Sequence, residues 1–277
     1  MAVPDSSLLP PPPSFKQDIS PTANADFDDA ARAHAWIAAN PLWQPRQHDQ
    51  QTLTRIAYGD VRLTSPPSTT SSSRNATLTS TGLGRSHVRT NARCQDTIFL
   101  SDIPLFAAQQ HNPLQTEKPR TTYFELAVKS MGSNVPGSEG DAGIALGFLA
   151  PPYPAWRLPG WHRGSLGVHG DDGRRYVDDS DGGLDFVRAF RRGDVVGIGM
   201  VHGLPVYAGG KPKVEVFFTR NGRQEGKWDL FEEKDRDQEG GDVRGLEGEF
   251  DLLAAVGCFG AVEFEVRFRA EEWKFRP

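Results

Sequence analysis

The chain has 277 residues, 37% of them hydrophobic, and a formal net charge of −5. This length holds one or two domains, and the low apolar share leaves part of the chain outside any packed core. The negative balance gives no broad basic face for nucleic acid, no run of ~18 apolar residues exists to span a membrane, and the two cysteines, Cys94 and Cys258, make neither a disulfide framework nor a zinc site.

The opening MAVPDSSLLPPPPSF lacks a basic region ahead of an apolar core, so no secretory signal is read. A soluble protein of the cytoplasm or nucleus is expected. Pro10 to Pro13 favour an extended left-handed helix. Around residues 26–39 an alanine-rich stretch begins with Asp26, Asp28 and Asp29, which suits the positive end of a short helix. Phe27, Ala30, His34 and Ile37 would share one face. Packing of that face on the rest of the chain is the simple expectation, and docking to a partner is the sharper one. From Thr64 to Thr81 twelve of eighteen residues are serine or threonine, too polar to offset the entropy of ordering. All glutamates lie from Glu117 onward, a shift in composition that separates two regions. Residues 1–83 are read as a largely disordered arm with one short helix, and 84–277 as a folded domain.

The second region is rich in strand patterns. Phe124, Leu126 and Val128 alternate in YFELAVK, and Ile144, Leu146 and Phe148 do so in GIALGFL. Val195 to Val201 is short, apolar and broken by glycine. Val214 to Thr219 runs into Arg220-Asn221-Gly222, and Asn-Gly is the strongest short hairpin signal. Leu252 to Phe259 reads as a further strand, and Val262 to Arg269 alternates apolar with charged residues without a break. Short strands at turn-bounded intervals, without helical periodicity between them, predict an all-β antiparallel sandwich.

In chain order come YFEL (Tyr123 to Leu126), LPGW (Leu158 to Trp161), GSLGVHGDDGR (Gly164 to Arg174), GDVVGIGM (Gly193 to Met200), VFFTRNG (Val216 to Gly222) and AAVGCFG (Ala254 to Gly260). This series resembles the SPRY domain, in the branch of Ran-binding-protein-like and fungal endosomal ubiquitin-ligase-adaptor-like proteins. It covers roughly Thr121 to Phe275. The resemblance implies a bent sandwich of two antiparallel sheets that binds a protein or peptide through loops at one end, without catalysis. It also implies adaptor or scaffold work, with a ubiquitin ligase among the partners to expect.

The stretch LPGWHRGSLGVHGDDGRRY, Leu158 to Tyr176, looks like chemistry. In the resemblance it is a strand and a hairpin whose turn is HGDDG, with Gly170 and Gly173 at positive φ and Asp171 and Asp172 bonding nearby N–H groups. A metal on His169, Asp171 and Asp172, or an acid–base pair of the two aspartates, is the weaker reading, because adjacent residues of a strand face opposite ways. No cofactor or metal is expected. The residues expected to contact a partner are Tyr153, Trp156, His162 and Arg163 on a proline-broken loop, Tyr207 in the long loop from His202 to Pro212, and Trp228 in a loop after the Asn-Gly hairpin, since exposed aromatics and arginine anchor interfaces. The charged run from Glu232 to Glu239 reads as a solvated loop. A carbohydrate-binding sandwich is the rival class. An enzyme is the other, and the chain lacks a nucleophile elbow, a zinc-protease helix, a P-loop and a dinucleotide fingerprint.

Overall fold

The computed structural model describes residues 27–66, 74–132, 142–180, 182–207, 210–232 and 243–277. The strict alternation near the C-terminus does what its period dictates. Val262, Phe264 and Val266 of β14 (Val262–Arg267) are buried, while Glu263 and Glu265 keep partial contact with solvent. The same inward stripe runs through Phe124, Leu126 and Val128 of β5 (Arg120–Met131) and Val216 and Phe218 of β11 (Lys213–Arg220), and together they floor the core.

Two antiparallel sheets of seven strands face each other across that core. One has the order β1 (Leu63–Thr64), β4 (Thr97–Ser101), β13 (Leu253–Phe259), β6 (Gly143–Leu149), β7 (Ser165–His169), β8 (Arg174–Val177), β9 (Leu184–Asp185). The other runs β12 (Arg223–Asp229), β11, β10 (Val195–Gly203), β5, β14, β3 (Arg85–Thr90), β2 (Ala76–Gly82). Phe99, Phe106, Phe124, Phe148, Phe218 and Phe264 fill the space between them. The Asn-Gly signal is where it was expected. Asn221 (φ 52) and Gly222 (φ 83) turn β11 into β12, with Arg220 opposite Arg223. Two left-handed residues match the twist of the flanking strands, and asparagine and glycine adopt that region at least cost.

The packed chain reaches well before Gly84. Helix α2 (Gln50–Tyr58) is capped by Asp49, whose carboxylate accepts the Thr52 N–H at 2.7 Å, and Val61 and Leu63 after it are buried in the core. The end of the serine/threonine-rich tract forms β2 rather than disordered chain. β2 is an edge strand, so its Thr and Ser side chains face water, while Leu78 packs on the core and the backbone pairs with β3. Composition reports what a strand shows to solvent and not whether its backbone is paired, and a polar edge also resists unwanted pairing. Pro10 to Pro13 lie outside the described residues.

The outer faces are clothed as well. On the second sheet Glu125 is 1% exposed. Its carboxylate accepts from the Tyr123 hydroxyl at 3.0 Å, from the Lys274 N–H at 2.9 Å and from the Phe275 N–H at 2.8 Å. This draws the C-terminal segment across the sheet, with Trp273 and Phe275 against the Tyr123 ring. Cys94 and Cys258 are both buried and free.

Candidate functional site

Every residue of β6 is buried, although alternate ones point away from the core. The loop between β6 and β7, residues 150–164, explains this by folding back over the outside of the first sheet. Its neck closes where Ala150 N–H donates to the Gly164 carbonyl at 2.8 Å. Leu158 and Trp161 pack with Ala145, Tyr176 and Phe259 of the sheet, and Tyr153 packs with Ile98, Leu149 and Ala255. Glycine makes the close approach possible. A Cβ on Gly257 would stand 2.6 Å from Leu158 Cδ2, and one on Gly167 would stand 2.4 Å from the Pro159 carbonyl oxygen.

Hydrogen bonds pin the loop. The Tyr153 hydroxyl donates to the Leu158 carbonyl at 2.6 Å, and Ser165 Oγ donates to the His162 carbonyl at 2.6 Å. Arg157 is fully buried; its Nε donates to His162 Nε2 at 2.9 Å and its guanidinium lies 4.2 Å from the centroid of Trp161. Burial, with the nearby charges of Arg157 and Arg163 and the neighbouring His34, lowers the His162 pKa to about 3, so the imidazole is neutral and can accept that bond.

Helix α1 (Phe27–Ala39) lies on this loop. Trp156 is the ledge. Its indole N–H reaches the Asp29 carbonyl at 3.4 Å, the Arg32 guanidinium sits 4.1 Å from its ring centroid, and Trp36 meets it edge-on at 6.3 Å. The last turn of α1 carries no basic residue. Arg163 supplies one from the loop, donating to the Ile37 carbonyl at 3.4 Å and to the Asn40 carbonyl, which favours a helix C-terminus. The rings of His34 and His162 meet edge-on at 4.8 Å. The docked face is therefore centred on Asp29, Ala33, Trp36 and Ile37, with Ala33 fully buried; of the expected face Ile37 and His34 meet the loop, while Phe27 is 82% exposed. Beside the C-terminal turn of α1 a cavity of about 310 Å³ opens among Ile37, Leu42, Arg163, Arg244 and Phe250.

The residues expected to meet a partner divide. Trp156 and Arg163 are half-buried and lie together under α1. Tyr153 and His162 are buried as the inner supports of the loop, because the loop folds onto the sheet instead of standing away from it. Trp228 is not in a loop; it lies on β12 opposite Val216, and that register turns it inward against Phe186 at 5.0 Å, with Arg175 5.2 Å from its ring. Tyr207 stands on the β10–β11 loop, 72% exposed, with Leu204 and Val206 exposed beside it. Sequence reasoning missed Arg32 and Trp36, which touch the ledge; the alanine-rich helix was their only signal. Most of the acidic run after Glu232 lies outside the described residues, and Glu232 itself pairs with Arg175.

The HGDDG stretch is a turn. Gly173 has φ 77 and Gly170 does not share that region; a Cβ on Gly170 would instead meet the Phe190 ring at 2.3 Å. The Asp172 carboxylate accepts from Arg174 N–H at 2.8 Å and from the Tyr176 hydroxyl at 2.7 Å. His169 stacks on Tyr176 at 4.1 Å, with Nε2 2.9 Å from the Pro159 carbonyl. Among the described residues no three His, Cys, Asp or Glu gather to hold a metal ion, and no helix is long and apolar enough to cross a membrane.

The chain is 34% identical over 126 residues to a Ran-binding protein M homolog of Arabidopsis thaliana, covering 46% of this chain and 23% of that protein. It is 35% identical over 94 residues to human SPRY domain-containing protein 3, covering 34% of this chain and 19% of that protein. It is 34% identical over 82 residues to Protein ssh4 of Sclerotinia sclerotiorum, covering 29% of this chain and 14% of that protein. The chain thus spans about a fifth of the length of the curated relatives it matches. A crystal structure of a human SPRY domain aligns with a TM-score of 0.43 at 22% identity, over 66% of this chain and 91% of that one. No family model matches the chain.

Proposed function

The chain carries a SPRY domain, a fold that generally serves protein interaction, and from that premise we propose that it is a non-catalytic recognition module that holds a helical peptide segment on the ledge of loop 150–164. The observation that carries this reading is that Trp156 and Arg163 already hold a helix. An aromatic ledge takes the side of α1, and an arginine takes the carbonyls at its C-terminal end. These are general helix-binding features and do not depend on which chain supplies the helix. In this reading α1 is the resident occupant and a partner replaces it. The exposed residues Leu204, Val206 and Tyr207 on the β10–β11 loop offer a second contact. Work as an adaptor or scaffold in the cytoplasm or nucleus, with a ubiquitin ligase among its partners, fits a module that binds without converting its ligand.

Affinity capture with the full chain tests the proposal. Three baits are compared: the native chain, Ala33→Asp to lift α1, and Ala33→Asp with Trp156→Ala and Arg163→Ala. Partners enriched on the first variant and lost on the second support the ledge. Identical partner sets on all three baits overturn it.

A further inference from the structure

At the far end of β10 and β11 from the Tyr207 loop, two turns are locked to the end of β5. Arg191 to Gly193 lead into β10, and Asn221 and Gly222 join β11 to β12. The Asp194 carboxylate ties these turns together, accepting from the Arg191 N–H at 3.0 Å, from Arg220 Nη1 at 2.5 Å and from Asn221 Nδ2 at 3.1 Å. Asn221 closes the junction: its N–H donates to the Val195 carbonyl at 2.7 Å, and its Oδ1 accepts the Val195 N–H at 2.9 Å. Gly193 N–H donates to the Val128 carbonyl at 2.8 Å, which adds β5 to the frame. The C-terminal segment joins it too, because a Cβ on Gly222 would stand 3.1 Å from the Lys274 carbonyl oxygen.

This frame presents cations to solvent. Lys129, Arg191, Arg192, Arg223 and Lys274 are all exposed, and none of the five is in an ion pair among the described residues. The acids beside them are already engaged. Arg220 takes Asp194 and, through Nε at 2.6 Å, Glu225; the Tyr123 hydroxyl and the Lys274 N–H take Glu125; His87 takes Glu263 at 3.0 Å. Five positive charges here, in a chain of net charge −5, leave −10 for the rest of it. Surfaces ordinarily intersperse the two signs, and a patch of one sign repels itself until anions reach it.

We propose that this patch docks a short acidic segment of a partner protein. Guanidinium groups match carboxylates edge to edge, and the locked turns hold the backbone that carries them, which lowers the cost of binding. The patch crosses four neighbouring strands, β5, β10, β11 and β12, a width of about 15 Å that four or five residues of extended peptide span. A nucleic acid or an anionic membrane reaches past that width and meets the negative remainder of the chain, whereas a short segment does not. The surface lies away from loop 150–164, so it stands whether or not the Trp156 ledge takes a partner's helix.

The test is fluorescence anisotropy with the full chain and a labelled peptide, Gly-Glu-Asp-Glu-Asp-Glu-Gly. Its amide counterpart, Gly-Gln-Asn-Gln-Asn-Gln-Gly, is the control, and a single-stranded oligonucleotide and phosphatidylserine vesicles are the rival probes. The acidic peptide is expected to bind saturably and the amide peptide not to bind. Replacing Arg191, Arg192 and Arg223 together by glutamine should weaken binding about tenfold, since each exposed pair contributes a little. A second triple variant, Arg46→Gln, Lys118→Gln and Lys213→Gln, removes the same charge from exposed positions at the opposite end and should stay within about twofold of the native chain. All six positions are exposed, so both variants are expected to fold. The absence of saturable binding, equal binding of the amide peptide, equal weakening in the two triple variants, or tighter binding of the oligonucleotide or the vesicles overturns the proposal.

Discussion

The Arg32 guanidinium lies 4.1 Å from the centroid of the Trp156 ring, so α1 meets the loop through a cation on an aromatic face. Contacts of this kind contribute about 1 kcal/mol where water has access. Ala33 is the one fully packed residue of the helix. A charge there, in Ala33→Asp, is therefore expected to undock α1 and leave the sandwich folded. Hydrogen exchange should accelerate for residues 27–39 while β5, β6 and β13 keep their protection. Equal acceleration everywhere would mean that α1 is integral to the domain.

The loop over the first sheet is expected to tolerate no added carbon beneath it. Gly167→Ala sets a methyl 2.4 Å from the Pro159 carbonyl, and backbone must move to admit it. Overpacking of this kind costs about 3 kcal/mol. Urea unfolding of the variant checks the figure, and a loss below about 0.5 kcal/mol would mean that the loop is free to lift.

Glu125→Ala removes an acceptor shared by the Tyr123 hydroxyl and the N–H groups of Lys274 and Phe275. Hydrogen bonds to a charged group contribute about 1.5–3 kcal/mol each and do not sum freely. A loss of about 3 kcal/mol is expected, together with rapid amide exchange at residues 273–275. A stable variant with those amides still protected would place the hold on the C-terminal segment in the aromatic contacts alone.

Stability should fall as the pH drops below the ordinary histidine range. Burial depresses His162 to about 3 and His111 and His202 to about 4, from an unfolded value of 6.5. Each contributes stability that is complete above 6.5 and is lost as the pH falls through the folded value. Asp96 acts in the opposite sense. Burial raises it to about 7 from 3.8, against the pull of Arg157 and with Asp29 and Asp171 adding to the rise, so its contribution is present below 3.8 and is lost as the pH climbs through 7. Near pH 5 the net effect is an uptake of about two protons on unfolding. Denaturant midpoints between pH 4.5 and 7 measure it, and a flat profile would contradict the neutral buried imidazoles.

Tyr207→Ala should leave stability within about 0.5 kcal/mol, since its ring is 72% exposed. It should nevertheless reduce capture of any partner that reads the β10–β11 loop. Unchanged capture would confine recognition to the Trp156 ledge.

What was legible in the sequence follows the physics of each element. Val262 to Arg267 and the Asn221-Gly222 turn are decided locally, by an alternation of period two and by two residues suited to left-handed backbone, and the structure has both. The burial of Trp228 is decided by register. RQEGKWD reads as a polar, exposed stretch, and only its pairing with β11 turns the indole inward. Loop 150–164 was legible as residues and not as a place. Prolines and aromatics mark it as irregular, whereas its descent onto the sheet depends on glycines at 167 and 257, one on the next strand and one almost a hundred residues away. β2 was hidden by its serines and threonines, and α1 showed its helical pattern and only part of its docked face, His34 and Ile37 but not Ala33 and Trp36.

The fit of Leu158 and Pro159 over Gly167 and Gly257 couples distant positions in inheritance. A related chain that gains a side chain at either glycine must also lose or rebuild the Leu-Pro-Gly-Trp element, and one that drops the element is released to vary at both glycines. With the covering loop would go the seat of α1. The two features should therefore appear and disappear together along a lineage, as one heritable character written in separate parts of the gene.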